Sequence, residues 1–565
     1  MGASSSKDSS VWGDSSIVET RQGRLRGRRL LNADGDGRSV DAFQGIPFAK
    51  PPVGPLRFKK PEPHEPWSGI RDAKSWGNRS IQKEFIIKMK EQGTPSEDCL
   101  YLNVFTPTWK PAKEFPSGFP VMVYIHGGGF SMDGAITYGD VGICRNLVTK
   151  DVIVVTIHYR LGYLGFWHSE SDLIPCNLGL WDQTMALRWV QDNIGAFGGD
   201  KNNVTLFGQS AGGASTDMLA LSPHSNGLFH KSIPMAGNAC ADWAFNTESM
   251  AAACERKARK MGLSWETHDE LAEKLLQPKS KTFEFGWFKA SKELDSSLDT
   301  STNPIARIFK LRILECAPVE AGDFFPEPID ELRRKAPVKP LMTGVTKLEA
   351  LLFTILKKPT DKAVVKALRK SVPDAHKDHA SVREKLHKSY MPDEHRRKKK
   401  KVQRGQLELF SDTFLNAPTL QLAQDTLRAN EGNAPVFLYV WEYCNPKSWG
   451  FMRKFMTFKE ASHCTELAYL FGKGVVFPFA FNDSDNAMLA TFSRAFTNFA
   501  KYGDPNGPPS APTQLPVKWE HLSGTSCERH MIFDVAPRMG DSFFDGRPSA
   551  ILAHRREAKD GNNNI

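Results

Sequence analysis

The chain has 565 residues, 40% of them hydrophobic and 24% charged, a balance that supplies a large core and excludes a disordered or low-complexity polymer. No stretch approaches the roughly 20 uncharged apolar residues that a membrane-spanning helix needs. The formal charge of +10 points to an anionic partner, lipid or nucleic acid. No nucleic-acid module signature accompanies it, so a solvated basic surface around Arg21 to Arg29 and Arg396 to Lys401 accounts for the excess without a nucleic-acid role.

In chain order, the sequence opens Met1-Gly2-Ala3-Ser4-Ser5-Ser6-Lys7. No apolar segment of the kind found in a secretory signal follows. The start instead fits M-G-x-x-x-[ST], an N-myristoylation signal with Gly2 as the acceptor and Ser6 at the selecting position. One myristoyl chain binds membranes only marginally, and the run Arg396 to Lys401 is a candidate second signal for a peripheral membrane contact. Residues 1–16 read as a flexible leader, 17–550 as one α/β domain, and 551–565 as a polar tail.

Within the domain, Pro120 to Ile125 is a short buried strand that ends in His126-Gly127-Gly128-Gly129. Val152 to Ile157 is a second, rich in β-branched residues. Trp181 to Gly195 places Ala186, Trp189, Val190 and Ile194 on one helical stripe. Val204 to Phe207 is a third strand, which runs into Gly208-Gln209-Ser210-Ala211-Gly212. Later strands are expected at Val338 to Thr343, Pro435 to Trp441 and Met531 to Asp534, and the charged region 360–405 is expected to be helical. Strand, helix, strand predicts a large, mostly parallel twisted sheet flanked by helices.

Gly208 to Gly212 fits G-x-S-x-G, and its context is a strand entering and a helix leaving. Such a bend lifts the Ser210 hydroxyl clear of the sheet for nucleophilic attack. The glycine triplet Gly127-Gly128-Gly129 after a strand suits an oxyanion site, because backbone N–H groups approach a substrate closely only where side chains are absent. A Ser nucleophile of this kind is followed in sequence by Asp or Glu and then His. Eight histidines lie beyond residue 349, and periodicity does not choose among them. His376 and His379 sit in a charged run and are expected to be exposed. No metal motif and no phosphate-cradling loop is present in the sequence, and the chemistry needs no cofactor.

These motifs resemble the type-B carboxylesterases of the cholinesterase-like α/β-hydrolase family. The likeness runs from about residue 17 to 540. It includes Ala42 to Ala49, Ser96 to Asn103, His126 to Phe130, Tyr159 to Gly162, Asn177 to Gln183, Phe197 to Asp200 and the Ser210 elbow. It implies an α/β-hydrolase fold and a serine esterase with Ser210 as nucleophile, Glu349 as acid and His463 as base. Gly128, Gly129 and Ala211 are implied as the oxyanion donors.

Departures from the family bear on substrate and compartment. Ser80 stands where the partner of Cys99 is expected, and Leu263 and Lys274 stand where a second bridge is expected. With the Gly2 motif and scattered thiols lacking any C-x-x-C pair, this predicts a protein on the cytoplasmic side of a membrane, with the sequons at Asn78, Asn203 and Asn482 unused. Residues 80–98 hold no tryptophan, and Gln209 replaces the usual glutamate before the nucleophile, both of which disfavour cationic choline esters. The expected activity is hydrolysis of neutral carboxylic esters through an acyl-enzyme. Acyl transfer to an alcohol and a non-catalytic interaction role are the alternatives.

Overall fold

Burial on both faces explains why the central strands are near-continuous apolar runs: Phe119–Ile125, Ile153–Ile157 and Val436–Trp441 have no exposed position. The computed structural model describes residues 11–82, 94–245, 247–283, 316–354 and 361–562. Gly2 and the basic loop carrying Lys83, Lys88 and Lys90 lie outside the described residues.

Among the described residues, thirteen strands form one sheet. Its middle is parallel: Ile153–Ile157, Phe119–Ile125, Gly199–Gln209, Lys231–Met235, Leu341–Thr346, Val436–Trp441 and His530–Phe533 lie side by side in that order. Antiparallel strands close both edges, with Trp12–Thr20 and Arg538–Gly540 outermost. Helices such as Leu178–Asn193, Ala211–Leu221 and Asp483–Tyr502 connect the parallel strands and cover the faces, giving an apolar core on each side. Ser210 and Glu349 both follow C-terminal strand ends, the edge where open α/β sheets hold their sites. Among the described residues no helix is long and apolar enough to cross a membrane.

Expected and observed elements agree in kind and differ at their limits. The nucleophile strand begins at Gly199 rather than Val204, and the expected strand from Val338 spans Leu341–Thr346. Region 360–405 holds the helices Asp361–Ser371, His379–Tyr390 and the start of Lys399–Ser411, with Arg396 to Lys401 exposed.

Two domain boundaries are corrected. The sheet starts at Trp12, inside the expected leader, because Trp12 pairs with Leu30 and stacks against the Arg28 guanidinium at 4.3 Å. The expected polar tail 551–565 contains most of the helix Arg547–Asn562. Ile551, Leu552 and Ala558 fall on one side of that helix and are buried, an amphipathic pattern that polar composition conceals.

Several motifs that carried the resemblance are architectural. Arg160 grips Asp182 through two side-chain hydrogen bonds of 2.8 and 2.7 Å, joining the Tyr159 to Gly162 motif to the Asn177 to Gln183 motif in the core. Arg57 does the same with Glu97 at 2.7 and 2.6 Å. Paired in this two-pronged way, the buried charges are tolerated and their geometry is specific.

Candidate active site

The bend at Ser210 is a backbone structure first. Ser210 has φ 59° and ψ −124°, a conformation that L-residues avoid, and it is held there by neighbours. Its N–H donates to Met235 O at 2.8 Å, and its carbonyl accepts Ala214 N–H at 2.9 Å to begin the helix Ala211–Leu221. Gly212 is required by close approach: a Cβ there would lie 2.1 Å from Ile125 O. Gly127 is required likewise, since its Cβ would meet Gln209 O at 2.6 Å and the Ser210 Cβ at 3.2 Å. The start of the glycine triplet therefore lies directly against the nucleophile position.

Gly128 and Gly129 both take positive φ, 90° and 60°, turning the triplet sharply after the strand Phe119–Ile125. A buried platform supports this turn. Tyr159 donates its hydroxyl to His126 O at 3.0 Å and stacks on the His126 ring at 4.5 Å. Burial lowers the pKa of His126 and takes that of His158 down to about 3, so both rings stay neutral and place no cation beneath the loop. Among the described residues, the N–H groups of Gly128, Gly129 and Ala211 donate to no protein acceptor. Three donors are left for a ligand oxygen.

Glu349 and His463 lie together, both buried. His463 Nδ1 is 2.6 Å from Glu349 Oε2, and the Thr346 N–H donates to Glu349 Oε1 at 2.6 Å. Ser462 fastens the two segments: its hydroxyl donates to Glu349 O at 3.1 Å and accepts Leu352 N–H at 2.9 Å. A proton on Nδ1, facing the carboxylate, leaves Nε2 with its lone pair, the form a general base needs. Nε2 lies 3.2 Å from the Gln209 side-chain nitrogen, one residue from Ser210. Ser210 Oγ itself makes no hydrogen bond among the described residues. Of the sequence-predicted residues, Glu349 and His463 are in direct contact, and the Gln209 amide set against His463 belongs to the neighbour of Ser210, whose side chain lies against the Gly127 turn that precedes Gly128 and Gly129.

Three features of the site were not read from sequence. Cys464, at φ 72°, donates its thiol to Gln209 Oε1 at 3.2 Å and so orients that amide. Glu466 is a second buried carboxyl, pushed well above the ordinary glutamate range by burial first and by the Glu349 charge second. Ser462 braces the acid–base pair. Only the spacing S-H-C-T-E offered a signal, and spacing does not reveal burial.

Elsewhere, His376 is buried at 3% exposure, correcting the expectation that it is solvent-exposed; His379 is half-buried. With His554 and Glu557, His376 offers ligand atoms within 4.8 Å of one another. His376 Nδ1 accepts the Asp378 N–H at 3.1 Å, so the ring proton sits on Nε2 and points at Glu557 Oε2, 2.7 Å away. That is the arrangement of a satisfied histidine rather than of a metal ligand, whose second nitrogen donates. Ser80 lies beside Cys99, whose thiol burial pushes up to about 12. No disulfide joins the cysteines of the described residues.

Comparison with known proteins shows which family the chain resembles over its length. The profile described as "Carboxylesterase family" matches residues 14–549. Esterase cest-33 of Caenorhabditis elegans is 39% identical over 520 residues, covering 90% of this chain and 89% of the relative. Juvenile hormone esterase of Tribolium castaneum is 34% identical over 529 residues, 87% and 84% of the two chains. Carboxylesterase 3 of Homo sapiens is 31% identical over 553 residues, 93% and 88%.

The contact between Gln209 and His463 yields a prediction. In Gln209→Glu a carboxylate beside the imidazole favours its protonated form, so more acid-side activity is lost. The acid limb of the kcat/KM–pH profile is expected to move up by about one unit. A limb that stays in place shows that residue 209 does not act on His463.

Proposed function

Because the chain belongs to the carboxylesterase family and is a carboxylic ester hydrolase, we propose that it hydrolyses neutral esters through an acyl-enzyme on Ser210. The observation that carries this reading is the convergence of the Ser210 bend, the glycine triplet and the His463–Glu349 pair. His463 Nε2 exchanges its contact with the Gln209 amide for the Ser210 hydroxyl and removes its proton as Oγ attacks the ester carbonyl. The new C–O bond places negative charge on the carbonyl oxygen, which the N–H groups of Gly128, Gly129 and Ala211 receive. Glu349 keeps the proton-bearing nitrogen oriented and stabilises the imidazolium. His463 returns the proton to the leaving alcohol, and water repeats the sequence to release the acid.

Preference for neutral esters follows from charge. Gln209 contributes no anion beside the nucleophile, so the residue before Ser210 offers nothing to attract a cationic alcohol group. We further propose that Gly2 is myristoylated and that the protein works on the cytoplasmic side of a membrane. Ser80 beside Cys99, where a bridge would otherwise form, supports a reducing compartment. Replacing Gly2 with Ala then moves the protein from the membrane to the soluble fraction of the cell; an unchanged distribution refutes the lipid anchor.

For the chemistry, Ser210→Ala is expected to lower kcat on a p-nitrophenyl ester by at least about 10⁴-fold, and Glu349→Gln by roughly 10³- to 10⁴-fold, with folding retained by circular dichroism. Wild-type kcat in Ser210→Ala contradicts the proposal.

A further inference from the structure

The charged run at residues 396–401 and a segment distant in sequence, 446–459, share one surface. The second segment leaves the C-terminal end of the strand Val436–Trp441 and winds through tight turns at Pro446–Lys454. It carries Phe451 and Phe455, 56% and 76% exposed, the two aromatics among the large apolar side chains standing in solvent. Lys447, Arg453, Lys454 and Lys459 flank them and are exposed. A groove of about 480 Å³ runs beside Phe451, floored in part by Phe479 and bordered by Arg453 and Lys454.

The helix Lys399–Ser411 brings the basic run alongside. Lys400 Nζ lies 5.8 Å from the ring centre of Phe458, and Arg404 Cζ lies 5.7 Å from the same ring. Arg404 also takes up Glu408 and Glu460 at 2.5 Å each, so these two acids are already neutralised. Asp393 and Glu394 are the exposed acids at the border. Among the described residues, Arg396 to Lys401, Lys447, Arg453, Lys454 and Lys459 form no ion pair.

We propose that this surface docks on an anionic lipid bilayer, with Phe451 and Phe455 entering the interface and the surrounding lysines and arginines meeting the headgroups. Exposed phenylalanine is unfavourable in water and favourable at the acyl boundary, while long cationic side chains lay their stems on apolar surface and reach out to phosphate. Unneutralised cations beside protruding rings complement a negatively charged leaflet. The docking does not depend on lipidation of Gly2. That it turns the ester-binding end toward lipid rests on the ester-hydrolase reading, because the same segment continues to His463.

Vesicle flotation of the full chain tests this, with Gly2→Ala throughout so that no acyl chain contributes. Vesicles of phosphatidylcholine alone are compared with vesicles holding about 30 mol% phosphatidylserine, at about 0.1 M and about 0.5 M salt. At least tenfold stronger partition to the anionic vesicles is expected at low salt. Phe451→Ala with Phe455→Ala lowers it at least tenfold at either salt. Neutralising Lys398 to Lys401 as glutamines lowers it at low salt, by up to about fivefold per cation, and little at high salt. Phe455→Glu gives a single-site check at the more exposed ring. Turnover of a soluble short-chain ester, unchanged in all variants, reports that the fold and the esterase site are intact. Equal binding to both vesicle types, no loss on removing the rings, or tighter binding to an RNA homopolymer than to vesicles overturns the proposal.

Discussion

The tight strand-to-helix bend at Ser210 is the constraint from which the rest of the site follows. A serine at φ 59° is tolerable only where the surroundings dictate the backbone, and here Met235 O accepts its N–H while the backbones at Gly127 and Gly237 crowd it and Ile125 O crowds Gly212 just beyond. The same crowding brings the glycine triplet to the nucleophile. A site built on the ends of packed parallel strands has little freedom to drift, which is what positioning a reacting hydroxyl against amide donors requires.

The buried charges of the interior are paired with partners. Glu349 is tied to His463, Thr346 and the Ser462 brace, Arg160 to Asp182, and Arg57 to Glu97. Glu466 is the exception: it is buried without an ion-pair partner among the described residues, and burial together with the Glu349 charge pushes its pKa up. Gln209 continues the pattern at the base itself, a neutral amide fixed by the Cys464 thiol where an acid would add negative charge. The imidazole is thus flanked by one carboxylate, Glu349, and one neutral amide, Gln209.

Much of this was legible in the sequence because short-range rules govern it. The elbow and triplet announce themselves through glycine spacing, and strand-length apolar runs locate the parallel core. What stayed hidden depends on contacts between distant segments. Nothing local shows that Arg160 meets Asp182, that Gln209 touches His463, or that Cys464 orients that glutamine. Burial misleads in both directions: His376 lies in a charged stretch yet is enclosed, and residues 551–558 look polar while Ile551, Leu552 and Ala558 pack into the core. Choosing His463 among eight histidines needed the family resemblance, since its neighbours in sequence carry no distinguishing period.

The most direct test of the account is to trap the nucleophile. The protein is treated with a fluorophosphonate ester, digested, and the modified peptide sequenced by mass spectrometry. A single stoichiometric adduct on Ser210, prevented by prior acylation with substrate, is the expected result. An adduct at another serine with Ser210 unmodified, or undiminished labelling of Ser210→Ala, contradicts it.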